Sequence, residues 1–443
     1  MKHVPHFSPS QMIALTFAAL ILLGALLLML HIAGARGEGL SFVDALFTAA
    51  SASCVTGLIV VDTGTYFSLF GQLVLIGLIQ LGGLGLMLFA TLFSVAMGRR
   101  INLQDRLNIQ ASLNQSDLEG VVSMSLRVAK YTFRIEAFFG TLLAIRFVPQ
   151  FGLKGVYYGY WHAISAFCNG GFDLFGHFQS LTGFVADPVV NFCIDALILL
   201  GALGFPVMSD LLHNRFRFKS LRLHSKLVVV MTLLLTFIGT AGFAFFEKGN
   251  PATIGTLSPG GQFLASLFQS ITPRTAGFNT VDLASLRTPT MFFLTILMFI
   301  GASPASTGGG IKTTTAALLL LNIRQVVKNE PDCVIFDRRI SEENSAQAVA
   351  IAGMSLLWVT GAVLCITYLE ETSFLSALFE VVSAYATVGM STGLSQHLCT
   401  ASKLILALSM YAGRVGVMTF ALALTARKQQ SHIHYPKDQI LIG

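Results

Sequence analysis

Long apolar runs and short apolar segments follow one another in an order that recurs four times. Each unit has a long run, a short segment, a small-residue turn ending on glycine, and a second long run. In the first unit these are 12–32, 41–53, the turn 54–58 and 66–96. The second has 121–148, 156–167 and 191–212; the third has 227–246, 262–272 and 291–324; the fourth has 348–369, 374–385 and 403–425. As helices, the long runs can cross a hydrocarbon core of about 30 Å, which takes about 20 residues. The short segments, about 11–13 residues rising 1.5 Å each, cannot. Such lengths suit re-entrant helices, whose following non-helical backbone must line water or be buried in protein. One copy would read as a packed or interfacial loop, but four in register favour the re-entrant reading.

The turns are SASCVTG at 51–57, SAFCNGG at 165–171, ITPRTAG at 271–277 and SAYATVG at 383–389. Their terminal glycines stand 114, 106 and 112 residues apart, so one unit of about 110 residues is used four times. Four inward-pointing loops can enclose a single axis. The units predict repeat 1 at 1–98, repeat 2 at 99–222, repeat 3 at 223–340 and repeat 4 with a cytoplasmic tail at 341–443.

Composition agrees with a membrane protein. The chain is 54% hydrophobic and 11% charged, against about 25% charged in a typical soluble domain. The run 12–32, behind Lys2, mimics a signal peptide but exceeds the usual core of about 7–15 residues, so the first span is expected to be retained. The six cysteines show no CxxC spacing and the ten histidines no HExxH, which argues against redox or metalloprotease chemistry. Basic residues gather between the units: Arg99, Arg100, Arg106, Arg127, Lys130 and Arg134; then Arg215, Arg217, Lys219, Arg222 and Lys226; then Arg324, Lys328, Arg338 and Arg339. By the positive-inside rule both termini and all connectors are cytoplasmic, and all four glycine turns enter from outside. The net charge of +6 then needs no nucleic acid to explain it.

A dehydrated cation needs several oxygen ligands at once, and backbone carbonyls supply them without burying a charge. Glycine permits the backbone angles that turn carbonyls toward one axis and leaves that axis open. Thr387, Val388 and Gly389 match the opening triplet of the potassium-channel filter. Looser counterparts are Val55, Thr56 and Gly57; Asn169, Gly170 and Gly171; and Thr275, Ala276 and Gly277. None carries a charged side chain, unlike the carboxylate rings of other cation pores.

On these residues the chain resembles the KtrB/TrkH/HKT superfamily of potassium transporters across essentially its whole length. The resemblance implies an all-α polytopic protein with eight transmembrane helices and four re-entrant pore helices around one pseudo-fourfold pore. The family's filter glycines match Gly57, Gly171, Gly277 and Gly389. Serine in the first loop accompanies sodium selectivity in plant members, so Gly57 points to potassium. The first span begins near Met12, which leaves no room for the extra N-terminal helix pair typical of TrkH, and KtrB is the closer likeness. That likeness implies a homodimer and a cytoplasmic nucleotide-binding regulatory subunit arranged as an octameric ring.

In the third repeat GASPASTGGGIKTTT at 301–315 interrupts an apolar span. It fails the GxxxxGK[ST] pattern, because Ile311 separates Gly310 from Lys312, and no strand precedes it. Proline, glycines and small hydroxyl residues predict a broken helix at mid-depth, the only strongly broken span in the chain. It resembles the family's intramembrane gating loop, with Gly308, Gly309, Gly310 and Lys312 as gate residues. Arg414 lies inside the last span, where a charge is expected to face the cavity and carry function. The family has an arginine there that forms a constriction with the loop; satisfaction by loop carbonyls is an alternative role compatible with the first. Arg274 is expected to be structural, bonding pore-helix carbonyls or a neighbouring carboxylate. Asp62, Asp173 and Asp282 follow their glycines and either concentrate cations at the mouth or are simply solvated. Cys54 and Cys168 are expected to pack behind the filter.

The expected function is potassium translocation by a multi-pass plasma-membrane subunit, with no cofactor in this chain and sodium left open as a co-required ion. A secondary transporter using broken helices is the alternative. The GxSxG string at 389–393 raises an enzyme, but no strand precedes it as a nucleophile elbow requires.

Overall fold

A computed structural model describes residues 9–85, 88, 107 and 121–424. The end of the run 66–96, the boundary at 98–99, Arg99, Arg100, Arg106 and the tail 425–443 lie outside the described residues. The first unit folds as α1 (Pro9–Leu28), α2 (Phe42–Ser53), the single turn α3 (Thr63–Tyr66) and α4 (Leu69–Leu84). The second is α5 (Val121–Phe151), α6 (Lys154–Phe167), α7 (Pro188–Ala202) and α8 (Phe205–His213). The third is α9 (Leu223–Phe246), α10 (Pro259–Ile271), α11 (Thr288–Phe299) and α12 (Thr313–Val327), then a hairpin of β1 (Val334–Ile335) and β2 (Arg338–Arg339). The fourth is α13 (Glu342–Leu369), α14 (Phe374–Tyr385), α15 (Thr400–Val415) and α16 (Val417–Leu424).

The short segments α2, α6, α10 and α14 have 12, 14, 13 and 12 residues. Serine starts three of them: the hydroxyls of Ser41, Ser258 and Ser373 accept from the backbone N–H of Asp44, Gly261 and Ser376. This satisfies donors that a helix start leaves free. Their other ends run directly into the glycine turns. Packing between units is cyclic: α4 meets α6, α7 meets α10, α11 meets α14, and α15 returns to α2. Each unit therefore lays its second run against the next unit's short helix, and the fourth closes on the first. At the closure Lys403 Nζ on α15 reaches the Asp44 carboxylate on α2 at 2.6 Å.

Polarity is inverted relative to a water-soluble fold. Leu357, Phe237 and Tyr368 on the long helices are 76, 73 and 89% exposed, whereas Ser51, Ser165, Ser383 and Glu380 on the short helices are fully buried. Large apolar groups outside and polar groups inside suit a lipid surround.

The second runs correct one expectation. Besides the break at 300–312 between α11 and α12, the chain bends by 100° between α7 and α8. Gly204 stands there with φ 90°, Gly416 separates α15 from α16 with φ 91°, and α4 ends on Gly85 with φ 87°. Glycine alone adopts such angles without steric cost. Pro206, at the start of α8, marks the first of these breaks in the sequence, whereas Gly416 and Gly85 have no proline beside them. Of the eight expected transmembrane helices, the described residues hold three unbroken ones long and apolar enough, Ser10–Leu28, Leu223–Phe246 and Glu342–Leu369, and a fourth if α7 and α8 form one bent span.

Candidate functional site

Each turn starts at the C-terminus of a short helix and repeats one backbone device. Val55, Asn169, Thr275 and Thr387, two residues before the terminal glycines, have φ of 59, 61, 69 and 52°. Left-handed backbone at a non-glycine residue costs about 1–2 kcal/mol, so its fourfold recurrence marks a conformation that the surroundings enforce. Helix-end carbonyls hold it: Ser51, Ser165 and Ser383 O accept from the N–H of Thr56, Gly170 and Val388, and Thr272 O accepts from Ala276. Ser51 and Ser383 hydroxyls also accept from the N–H of Gly57 and Gly389, both at 3.1 Å. In the middle two turns the hydroxyls of Ser165 and Thr272 instead donate to the carbonyls of Phe172 and Phe278.

The four glycines meet in a closed cycle. A methyl carbon on Gly57 would lie 2.8 Å from the Gly170 oxygen, and one on Gly171 would lie 2.7 Å from the Ala276 oxygen. On Gly277 it would lie 2.4 Å from the Val388 oxygen, and on Gly389 2.0 Å from the Thr56 oxygen. Their own φ angles of 97, 71, 80 and 93° also exclude other residues without strain. All twelve residues of the four triplets are buried. The glycines form part of the wall of a single cavity of about 250 Å³, shared with Asp173, Asn279, Asp282, Ser391 and Gln396.

The segment 300–312 lies against the other face of this ring. Its ends are tied by Gly301 N–H to Ile311 O and Thr313 N–H to Ala302 O. Its middle binds the α7–α8 break, with Phe205 N–H donating to Ala305 O and Thr307 N–H to Gly201 O. Its tip touches the fourth turn, where Gly309 N–H donates to Thr387 Oγ1 at 2.9 Å. Lys312 Nζ folds back onto Gly308 O at 2.7 Å and Gly309 O at 3.5 Å. Arg414 donates through Nη1 to Thr307 O and through Nη2 to Gly82 O and Gly83 O. The structure thus brings together the predicted gate residues and Arg414, and joins them to the end of α4.

Residues 7–435 match the TrkH family, described as a cation transport protein. The chain belongs to this family. It is 42% identical over 438 residues to Ktr system potassium uptake protein B of Bacillus subtilis, covering 99% of this chain and 97% of that protein. It is 34% identical to potassium/sodium uptake protein NtpJ of Enterococcus hirae, covering 98% and 97%. The fold matches the crystal structure of the potassium transporter TrkH from Vibrio parahaemolyticus with a TM-score of 0.76 at 18% identity, over 96% of this chain and 86% of that one. The family is one of membrane transporters rather than enzymes. Consistently, the Ser391 hydroxyl of the GxSxG string is donated to the Glu380 carboxylate at 2.8 Å.

Within this family fold the other predicted residues separate by role. Arg274 is buried and directs its guanidinium away from the ring, to Thr232 O and Thr236 Oγ1 of α9. It therefore bonds a long helix rather than a short one. Its own carbonyl and the Thr275 hydroxyl accept from Asn169 Nδ2, which links the second and third turns. Cys54 and Cys168 are buried, and Cys168 Sγ lies 3.2 Å from Gln80 Oε1 on α4. Asp62 is spent locally, capping α3 at Thr65 and accepting from Phe178 N–H; Asp173 and Asp282 face the cavity.

Three further glycines matter that the turn pattern does not announce. A methyl on Gly82, Gly201 or Gly413 would lie 1.9, 2.0 or 1.7 Å from the carbonyl oxygen of Ser53, Phe167 or Tyr385, the last residue of a short helix. Each second run therefore reaches the turn only because it lacks a side chain there. Their distances of 25, 30 and 24 residues beyond the terminal glycines of the turns are a second, weaker periodicity in the sequence.

Proposed function

We propose that this chain is the potassium-translocating subunit of a plasma-membrane uptake system, built as four membrane-pore-membrane repeats around one pore. The observation that carries this reading is the closed cycle of Gly57, Gly171, Gly277 and Gly389 at one cavity. Carbonyls of 55–57, 169–171, 275–277 and 387–389 replace the ion's water. The C-terminal ends of α2, α6, α10 and α14 direct the negative pole of each helix toward the same place, which favours a cation. Small-residue turns without charge, Gly57 in the first turn, and the names of the relatives favour potassium; the potassium/sodium relative keeps sodium as a second transported or co-required ion.

The segment 300–312 acts as the gate beneath the filter, with Gly308, Gly309, Gly310, Lys312 and Arg414 as its working residues. Lys312 and Arg414 place positive charge below the ring, a barrier that withdrawal of the loop relieves by moving Lys312 and parting Arg414 from Thr307. Basic connectors set both termini in the cytoplasm and offer a docking surface for a nucleotide-binding regulatory ring, and the chain works as a homodimer with one pore per protomer. A secondary transporter that binds solute at broken helices is the rival reading, favoured by the additional breaks at Gly204 and Gly416.

Flux into vesicles containing the purified chain tests both. Potassium or rubidium uptake down its gradient, without a coupled organic solute, is the expected result. Uptake that depends on an organic solute would transfer the assignment to the rival.

A further inference from the structure

Glu380 is a fully buried carboxylate in the middle of α14, about two turns before the fourth triplet begins at Thr387. Burying such a group is costly unless donors surround it. Its donors all come from the segment just beyond Gly389. The Ser391 hydroxyl donates to Oε1 at 2.8 Å, the Ser395 N–H donates to the same oxygen at 3.1 Å, and the Ser395 hydroxyl joins them. Ser391 in turn accepts from Gly393 N–H at 2.9 Å. One side chain thus anchors 391–395 to the short helix, while the Ser383 hydroxyl anchors Gly389 itself. The segment held in this way lines the cavity through Ser391, Thr392 and Gly393. The corresponding sites of the other short helices are not carboxylates: counting nine residues back from the terminal glycine gives Thr48, His162 and Phe268.

We infer that Glu380 is a specificity-determining positioning residue, which fixes the backbone immediately outside Gly389 and so sets where the fourth turn's outermost carbonyl meets the ion. The inference rests on the filter reading above. Gly389 already abuts Thr56 of the first turn, so the fourth turn cannot close further on that neighbour. Loss of the anchor therefore lets the fourth turn relax outward, widening the ring on one side only. A one-sided widening changes the number and distance of the carbonyls that meet the ion, on which discrimination between ions of different size depends.

Vesicle flux of rubidium and of sodium, measured on Glu380→Ala, Glu380→Gln and Gly389→Ser, tests this. Glu380→Ala is expected to lower the rubidium-to-sodium flux ratio by about fivefold, the equivalent of about one net hydrogen bond. Glu380→Gln is expected to recover most of the ratio, since its amide carbonyl can take the place of Oε1. A role in stability alone would lower the yield or melting temperature and leave the ratio unmoved, which would overturn the inference. A Gln variant as unselective as Ala would also overturn it, by assigning the effect to charge rather than to position. Should Glu380→Ala fail to assemble, Ser391→Ala combined with Ser395→Ala removes both hydroxyl donors and leaves the Ser395 N–H on the carboxylate; a partial fall in the ratio is expected, and a wild-type ratio rejects the anchor. Gly389→Ser separates the two readings: if it too leaves the ratio unchanged, the filter assignment itself fails, whereas a changed ratio in Gly389→Ser alone condemns only Glu380.

Discussion

Gly57 and Gly389 occupy equivalent positions but do not have equal room. A side-chain carbon at Gly57 would press on the Gly170 oxygen at 2.8 Å, and one at Gly389 on the Thr56 oxygen at 2.0 Å. Contacts below 3.0 Å against backbone require the backbone itself to shift. Gly57→Ser is therefore expected to assemble and to reduce the preference for potassium over sodium by about tenfold, equivalent to about 1.4 kcal/mol. Gly389→Ser is expected to lower both the ratio and the yield of folded protein. Parallel uptake of the two ions by both variants checks this, and an unchanged ratio in Gly57→Ser would remove the filter assignment. The same argument reaches Gly82, Gly201 and Gly413, whose role lies in close approach and not in ion contact.

At the scale of elements, the short helices were legible because two independent signals coincide in them. Apolar segments too short to span a membrane recurred four times, each followed by a small-residue turn ending on glycine, and α14 occupies the predicted 374–385. The break at Gly416 was not legible, since a glycine in an apolar helix carries almost no local signal, whereas Pro206 beside Gly204 did mark the other break. The meeting of Arg414 with the loop was expected from the family resemblance, but its reach to Gly82, 332 residues away, was not. The loop 300–312 was legible as a break, while its grip on Thr387 was not. Deleting 305–310 removes the Thr307 acceptor of Arg414, both acceptors of Lys312 and the Gly309 donor to Thr387, and leaves Arg414 its bonds to Gly82 and Gly83. It is expected to raise flux by about tenfold, the effect of removing about 1.4 kcal/mol of barrier. Arg414→Ala, which removes one set of anchors, is expected to raise flux less. Tracer uptake compared with the amount of assembled protein measures both, and wild-type flux in the two variants would reject the gate.

For the whole molecule, the cyclic order of contacts makes the first and last units neighbours. The ion pair between Lys403 and Asp44 stands at that closure, with side chains 16 and 27% exposed. Lys403→Met or Asp44→Asn is expected to cost about 1–2 kcal/mol, between the values for exposed and buried pairs. The double variant should cost little more than either single one. Thermal unfolding in detergent gives these values, and strict additivity of the two losses would show that the pair does not join the ends of the cycle.

The glycine cycle also explains why four units with the same task share so few residues. Val55, Asn169, Thr275 and Thr387 differ in size and polarity, yet all four adopt the same left-handed backbone. The bore is gauged by main chain resting on main chain, from Gly57 through Gly171 and Gly277 to Gly389 and back to Thr56. Side chains behind it are consequently free to diverge so long as none intrudes. Duplicated copies can then acquire separate features, such as the broken segment 300–312 in one and the buried Glu380 in another, without altering the aperture they jointly define.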